Sequence, residues 1–90
     1  MNRARSRFIV QSNDGGFAFK AHGGSITNRG EATAIIDGNI ELAQYESFSI
    51  PVIDANTEYE QDMDIQFTGS GSKKVVVQQI TIQPDSKDCN

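Results

Sequence analysis

The sequence contains few of the residues that form disulfides, metal sites or membrane-spanning segments in small proteins. Its 90 residues contain one cysteine, Cys89, so no disulfide can form within the chain. With the lone histidine, His22, that cysteine provides no cluster of soft ligands for structural zinc. No run of about 18 apolar residues is present, and Phe8-Ile9-Val10 is too short for the apolar region of a signal peptide. We therefore expect no metal, no cofactor and no membrane insertion.

Large apolar side chains are also scarce. The chain has no tryptophan, five Phe and two Tyr, and 37% of its residues are hydrophobic. A domain of this length buries only about 60–65% of the surface that its unfolded chain exposes. The composition predicts one domain with a thin core, which gains stability from partners.

Charge is unevenly placed along the chain. Residues 1–30 carry five basic residues and one acidic residue, whereas residues 31–70 carry nine acidic residues and neither Lys nor Arg. An acidic middle after a basic start is not the broad basic face that nucleic-acid binding requires. The split favours head-to-tail contact between copies, although solvated surface charge is the alternative explanation.

Apolar residues recur with a period of two, and Gly, Asn, Asp and Ser fill the breaks between them. This pattern predicts short half-buried strands rather than helices. We expect an all-β fold, a single antiparallel β-sandwich or jelly-roll-like small barrel of seven to eight short strands. The predicted organisation is a basic N-terminal arm (1–7), the sandwich domain (8–83) and a polar C-terminal tail (84–90).

Turn residues suggest which strands pair. Residues 7–12 and 17–21 are predicted to form one hairpin, with His22 exposed or at an edge after it. Gly23-Gly24 should break the chain before a short strand. Asp37-Gly38 is a strong two-residue turn signal and predicts a second hairpin. Pro51 should end the following strand or place it at a sheet edge.

The last strand, residues 73–83, contains a conflict of phase. Val75 and Val77 share one face, and Ile80 and Ile82 share the other. A β-bulge near Gln78-Gln79 would place all four in the core. The predicted core comprises Phe8, Val10, Phe17, Phe19, Ile36, Leu42, Phe48, Ile50, Val52, Ile65, Phe67, Val75, Val77, Ile80 and Ile82.

Two segments resemble ligand loops only in part. Residues 69–74, Gly-Ser-Gly-Ser-Lys-Lys, lack the glycine spacing and the following helix of a phosphate loop. Every second residue from Asp54 to Asp62 carries a side-chain oxygen (Asp54, Asn56, Glu58, Glu60 and Asp62), but Tyr59 and Ile65 stand where an EF-hand needs Gly and Glu. A looser calcium site between loops stays open, and a single His in so small a domain favours no catalytic triad.

Two rows of charge have the same period of two. On a strand, Glu58, Glu60, Asp62 and Asp64 form an acidic row, with side chains about 6.6 Å apart. Arg3, Arg5 and Arg7 form a basic row. A guanidinium group can bind a carboxylate through two parallel hydrogen bonds. We expect these rows to contact each other, within one molecule or between neighbours. The alternative is that both rows are solvated and the N-terminal arm is disordered.

Two segments carry a resemblance to known proteins. The first runs from Ile26 through Asn28, Gly30 and Ala32 to Glu46-Ser47-Phe48-Ser49-Ile50. The second is residues 65–71, Ile-Gln-Phe-Thr-Gly-Ser-Gly, which a Val-rich strand follows. Over residues 26–82 the chain resembles the small β-sandwich modules of bacteriophage virions, among them capsid decoration, spike and fibre components. The strand motifs are similar to those of immunoglobulin-like folds as well. The resemblance implies a structural role in many copies, with the termini acting as arms.

These observations predict a structural module rather than an enzyme. We expect it to assemble with itself or with a larger virion shell protein, in a virion assembled in the host cytoplasm. The alternative is a carbohydrate- or ligand-binding module, for which Tyr45 and Tyr59 are the candidate aromatic residues.

Overall fold

The computed structural model describes residues 2–84, and they form eight strands in two antiparallel four-stranded sheets. Sheet A has the order β1-β8-β3-β6, and sheet B has the order β2-β7-β4-β5. The strands are β1 (Asn2–Gln11), β2 (Gly15–Ala21), β3 (Gly23–Asn28), β4 (Thr33–Ile36), β5 (Ile40–Leu42), β6 (Ser47–Ile50), β7 (Tyr59–Thr68) and β8 (Val75–Pro84). The predicted all-β sandwich is confirmed. Cys89 and the rest of the predicted tail after Pro84 lie outside the described residues.

The second predicted hairpin is confirmed, and the first is wrong. β4 pairs with β5 across Asp37 and Gly38, whose φ angles of 52° and 71° are those of a type I′ turn. β1 and β2 do not pair, because β1 joins β8 in sheet A and β2 joins β7 in sheet B. The turn at residues 12–14 therefore carries the chain between sheets, which turn chemistry alone does not distinguish from a hairpin.

The chain changes sheets again at His22. Gly23 and Gly24 do not break the chain, since they are the first residues of β3. A Cβ at Gly24 would overlap the carbonyl oxygen of Gln78 on β8, so only glycine lets β3 approach this closely. As predicted, the strand before Pro51 ends there, at Ile50, and β6 lies at a sheet edge.

β8 contains no bulge. It pairs residue for residue with β1 along ten positions, and with β3 from Val75 to Ile80. Gln79 instead follows Val77 into the interior, where it is buried and its Nε2 donates to the carbonyl of Ala18 at 3.4 Å. The predicted bulge is wrong because an amide with a hydrogen-bond partner can occupy a core position.

This register changes the membership of the core. Phe8 and Val10 are 63% and 56% exposed, and Val52 is exposed too, so these three predictions are wrong. Phe17 and Phe48 pack partly buried against the core. Ile80 and Ile82 are half-buried on the outer phase of β8, so their assignment to the core is wrong as well. Residues that were not predicted also take core places: Ala21, Ile26, Ala32, Ala34 and Met63.

A buried amide joins the two sheets at one end. Asn28 is 0% exposed, and its Nδ2 donates to the carbonyls of Ala32 and Leu42, both at 2.8 Å. Its Oδ1 accepts the N–H of Gly30 at 3.0 Å. The backbone carbonyl of Asn28 also accepts the N–H of Tyr45, which holds that residue at a φ of 68°. Every polar atom of this side chain is therefore satisfied inside the protein.

The molecule is elongated. Its extents are 55 × 18 × 18 Å, and its radius of gyration is 14.9 Å, against about 12 Å for a compact domain of this length. Beyond Ile80, β8 has no β3 partner and continues with β1 as a two-stranded ribbon of residues 2–5 and 81–84. The basic N-terminal arm of the prediction is thus paired backbone from Asn2 onward.

Asn28→Ala should destabilise the fold by about 2–4 kcal/mol, because it leaves one N–H and two carbonyls without their partners. Urea unfolding followed by circular dichroism measures this loss.

Asn28→Asp serves as the matched variant. Its carboxylate can accept the Gly30 N–H but faces two carbonyls, so burial raises its pKa in the folded state and stability should fall as pH rises above about 4. An Asn28→Asp protein as stable as the wild type at pH 7 would contradict this role.

Candidate assembly surfaces

The acidic row lies on the outer face of sheet B. Glu60, Asp62 and Asp64 alternate along β7 and are exposed, and Glu58 is exposed just before the strand. Residues opposite them on β2 are Lys20, Ala18 and Gly16 in turn. Lys20 Nζ lies 3.8 Å from Glu60 Oε2. Since Ala18 and Gly16 are small, Asp62 and Asp64 are open from the β2 side.

The basic row lies on β1, an edge strand of sheet A. Arg3, Arg5 and Arg7 are exposed, and their register partners on β8 are Gln83, Thr81 and Gln79. Opposed residues of an antiparallel pair point to the same face. Because Gln79 is buried, the arginines share the inward phase of sheet A, and Arg3 and Arg5 lie on the ribbon.

The two rows belong to different sheets. Across residues 2–84, no salt bridge joins an arginine of β1 to a carboxylate of β7. The contact expected within one molecule is therefore absent from the described part of the chain, and contact between neighbours stays a prediction.

The outer face of sheet A, which we term face A, is uncharged. In the register of the four strands, Val10 lies beside Val76, Thr27 and Ser47. Phe8 lies beside Gln78, Ser25 and Ser49 in the next row. The described side chains of face A on the strands are Ala4, Ser6, Phe8, Val10, Ser25, Thr27, Ser47, Ser49, Val76, Gln78, Ile80 and Ile82, and Val52 covers Gly23 beside Ile80.

Face A has an apolar half and a hydroxyl half. The apolar half, formed by β1 and β8, holds all the large apolar side chains that the four strands place on face A, with Ser6 and Gln78 among them, whereas β3 and β6 supply Ser and Thr. Polar side chains on face A form hydrogen bonds with each other. Gln78 Nε2 donates to Ser6 Oγ at 3.2 Å, and Thr27 Oγ1 and Ser47 Oγ are 2.8 Å apart. An uncharged sheet face with exposed Phe and Val is typical of a protein interface.

His22 is not the exposed histidine of the prediction. It is 7% exposed, its Nδ1 accepts the N–H of Ile82 at 3.0 Å, and its Nε2 lies 3.0 Å from the carbonyl of Ala55. These partners assign the proton to Nε2, which donates to Ala55. The ring thus ties β8 to the loop before β7, a structural role that no sequence signal revealed.

In the same loop, the N–H of Asn56 donates to Asp54 Oδ1 at 2.8 Å. This bond, with hydrogen bonds from Thr57, holds the pKa of the exposed Asp54 carboxyl below its usual value.

The two tyrosines have different surroundings. Tyr59 is half-buried, its ring meets Phe19 edge-to-face at 6.4 Å between centroids, and its hydroxyl donates to the carbonyl of Pro51. Tyr45 is 68% exposed. Of the two rings considered for stacking on a sugar, only Tyr45 is therefore available.

The remaining loops show connections rather than ligand geometry. The turn that follows β7 bonds to the connection between β3 and β4. The N–H of Glu31 donates to Ser72 Oγ at 3.2 Å, and the N–H of Ser72 donates to Glu31 Oε1 at 3.3 Å. In the stretch from residue 2 to residue 84, no three His, Cys, Asp or Glu side chains cluster so as to hold a metal ion. That stretch contains no helix long and apolar enough to cross a membrane.

Comparison with known proteins gave no match to a family model, to a curated protein or to a solved structure.

His22→Phe should lower the free energy of unfolding by about 1–3 kcal/mol, because the Ile82 N–H and the Ala55 carbonyl lose their partner. Lys20→Ala, on the strand before it, is the control and should change stability by less than about 0.5 kcal/mol. Equal stability of the two variants would show that the bridge contributes nothing.

Proposed function

We propose that this chain is a non-enzymatic structural module that assembles in many copies, with itself or with a larger shell protein, as a component of a virion. The observation that carries the proposal is face A, an uncharged sheet face with exposed Phe8 and Val10. Such a surface gains free energy when another surface removes it from water.

The charge distribution supports assembly in many copies. A single self-complementary surface closes a dimer, and a second, different contact is needed to extend it. The arginines of β1 and the carboxylates of β7 are complementary and lie on different sheets. They suit a head-to-tail contact in which one copy presents its basic row to the acidic row of the next.

The virion setting comes from the resemblance of residues 26–82 to phage β-sandwich modules. The shape is compatible with it, since a narrow domain 55 Å long offers much surface per residue to a shell.

Quantitative mass spectrometry of purified virus particles from the source of this sequence tests the setting directly. The chain should be present at a fixed ratio of many copies per particle and should stay after a low-salt wash. Detection in the infected-cell lysate but not in the particles would contradict the proposal.

The head-to-tail contact should be sensitive to salt, because exposed ion pairs are weak singly and about 1 M salt shortens the Debye length to about 3 Å. Species larger than a dimer, observed at low salt by light scattering, should disappear at high salt.

Replacing Arg3, Arg5 and Arg7 by Gln should have the same effect as salt while preserving the backbone pairing of β1. Glu41→Gln, elsewhere on the outer face of sheet B, is the control. Larger species that resist both treatments would show that the rows are not in contact.

A further inference from the structure

We infer that face A binds a second copy of this chain, so that two molecules pack face to face about a two-fold axis. This inference rests on the proposed function and names the partner of one surface. Its evidence is the composition of face A, the placement of charge away from it, and its area.

Face A is compatible with itself. Since no charged side chain lies on it, two copies can meet without placing like charges together. A two-fold axis that lies in the interface and runs across the strands sets β1 over β1 and β8 over β8. The apolar half then covers the apolar half, and the Ser and Thr half of one copy meets that of the other.

The acidic charge is far from such an interface. Glu60, Asp62 and Asp64 lie on the outer face of sheet B, on the opposite side of the molecule. In a four-layer dimer with sheets about 10 Å apart, the two acidic rows are about 30 Å apart. That distance exceeds the Debye length of about 8 Å at physiological salt, so their repulsion is screened.

Edge-to-edge pairing of β1 is the competing arrangement, and its charges oppose it. A β1 to β1 ladder sets the two arginine rows side by side, and charges on the inward phase of an edge strand are a known protection against such pairing. In the face-to-face dimer the arginines point away from the interface.

The area is sufficient for a specific but modest interface. With strands about 4.8 Å apart and about 3.3 Å per residue, face A covers roughly 500 Å². Two copies bury about 1,000 Å², near the lower limit for a specific interface. Phe8 and Val10 are the large side chains that gain most from burial.

Sedimentation velocity on the full chain, from about 5 to 200 µM, is the experiment. The wild type should be dimeric at the upper end of this range. Phe8→Glu and Val10→Glu should each raise the dissociation constant about tenfold or more, and circular dichroism should show that they keep the β-sheet spectrum. Gln66→Glu is the matched control, because it adds the same charge to the exposed outer phase of β7.

A charge exchange identifies the partner as a second copy. Phe8→Glu and Phe8→Lys should each be monomeric, and an equimolar mixture should regain a dimer, because each face now meets the opposite charge. A monomeric wild type, or a dimer that Phe8→Glu and Val10→Glu leave unchanged, would overturn the inference. Neither result changes the number of copies that mass spectrometry finds in virus particles, so the proposed function is tested independently of this dimer.

Discussion

The unbroken pairing of β1 with β8 is the constraint on which the rest of the structure depends. Ten consecutive residues of each strand oppose one another, and this single register decides which side chains point inward. It places Phe8 and Val10 on face A, turns the arginines to the inward phase and leaves them exposed. A slip of one residue would exchange these sets and abolish the separation between an uncharged face and a charged one.

Two polar side chains maintain the sandwich around this pairing. Asn28 connects β3 to the residue before β4 and to the last residue of β5 at one end, and His22 connects β8 to the loop before β7 at the other. Among the side chains of residues 3–83, no buried nitrogen or oxygen lacks a partner. In a core built largely of Ala, Val and Ile, such bonds supply specificity that apolar contacts alone would not, because buried polar groups tolerate few alternative arrangements.

The sequence predicted the local features well and the long-range pairings less well. The Asp37-Gly38 hairpin, the long strand β7 and the end of β6 follow from turn chemistry and period-two alternation. The partner of β1 does not follow from these signals. β1 pairs with β8, which is far away in sequence, and no local sequence feature indicates that pairing. The alternation predicts four carboxylates on one strand face, and three of them lie within β7, with Glu58 just before it. Face A was missed because Phe8 and Val10 were assigned to the core by their apolarity, and only the neighbouring strands reveal that their phase is outward.

The most direct test of this account is the register itself. Nuclear Overhauser contacts measured by NMR on the isotope-labelled chain report which backbone protons oppose each other across β1 and β8. The account predicts contacts from Ile9 to Val77, from Arg7 to Gln79 and from Arg5 to Thr81, in one continuous series. A register shifted by one residue beyond Gln78, with Arg5 opposite Ile80 or Ile82, would contradict it, because Ile80 and Ile82 would then share the inward phase with the arginines.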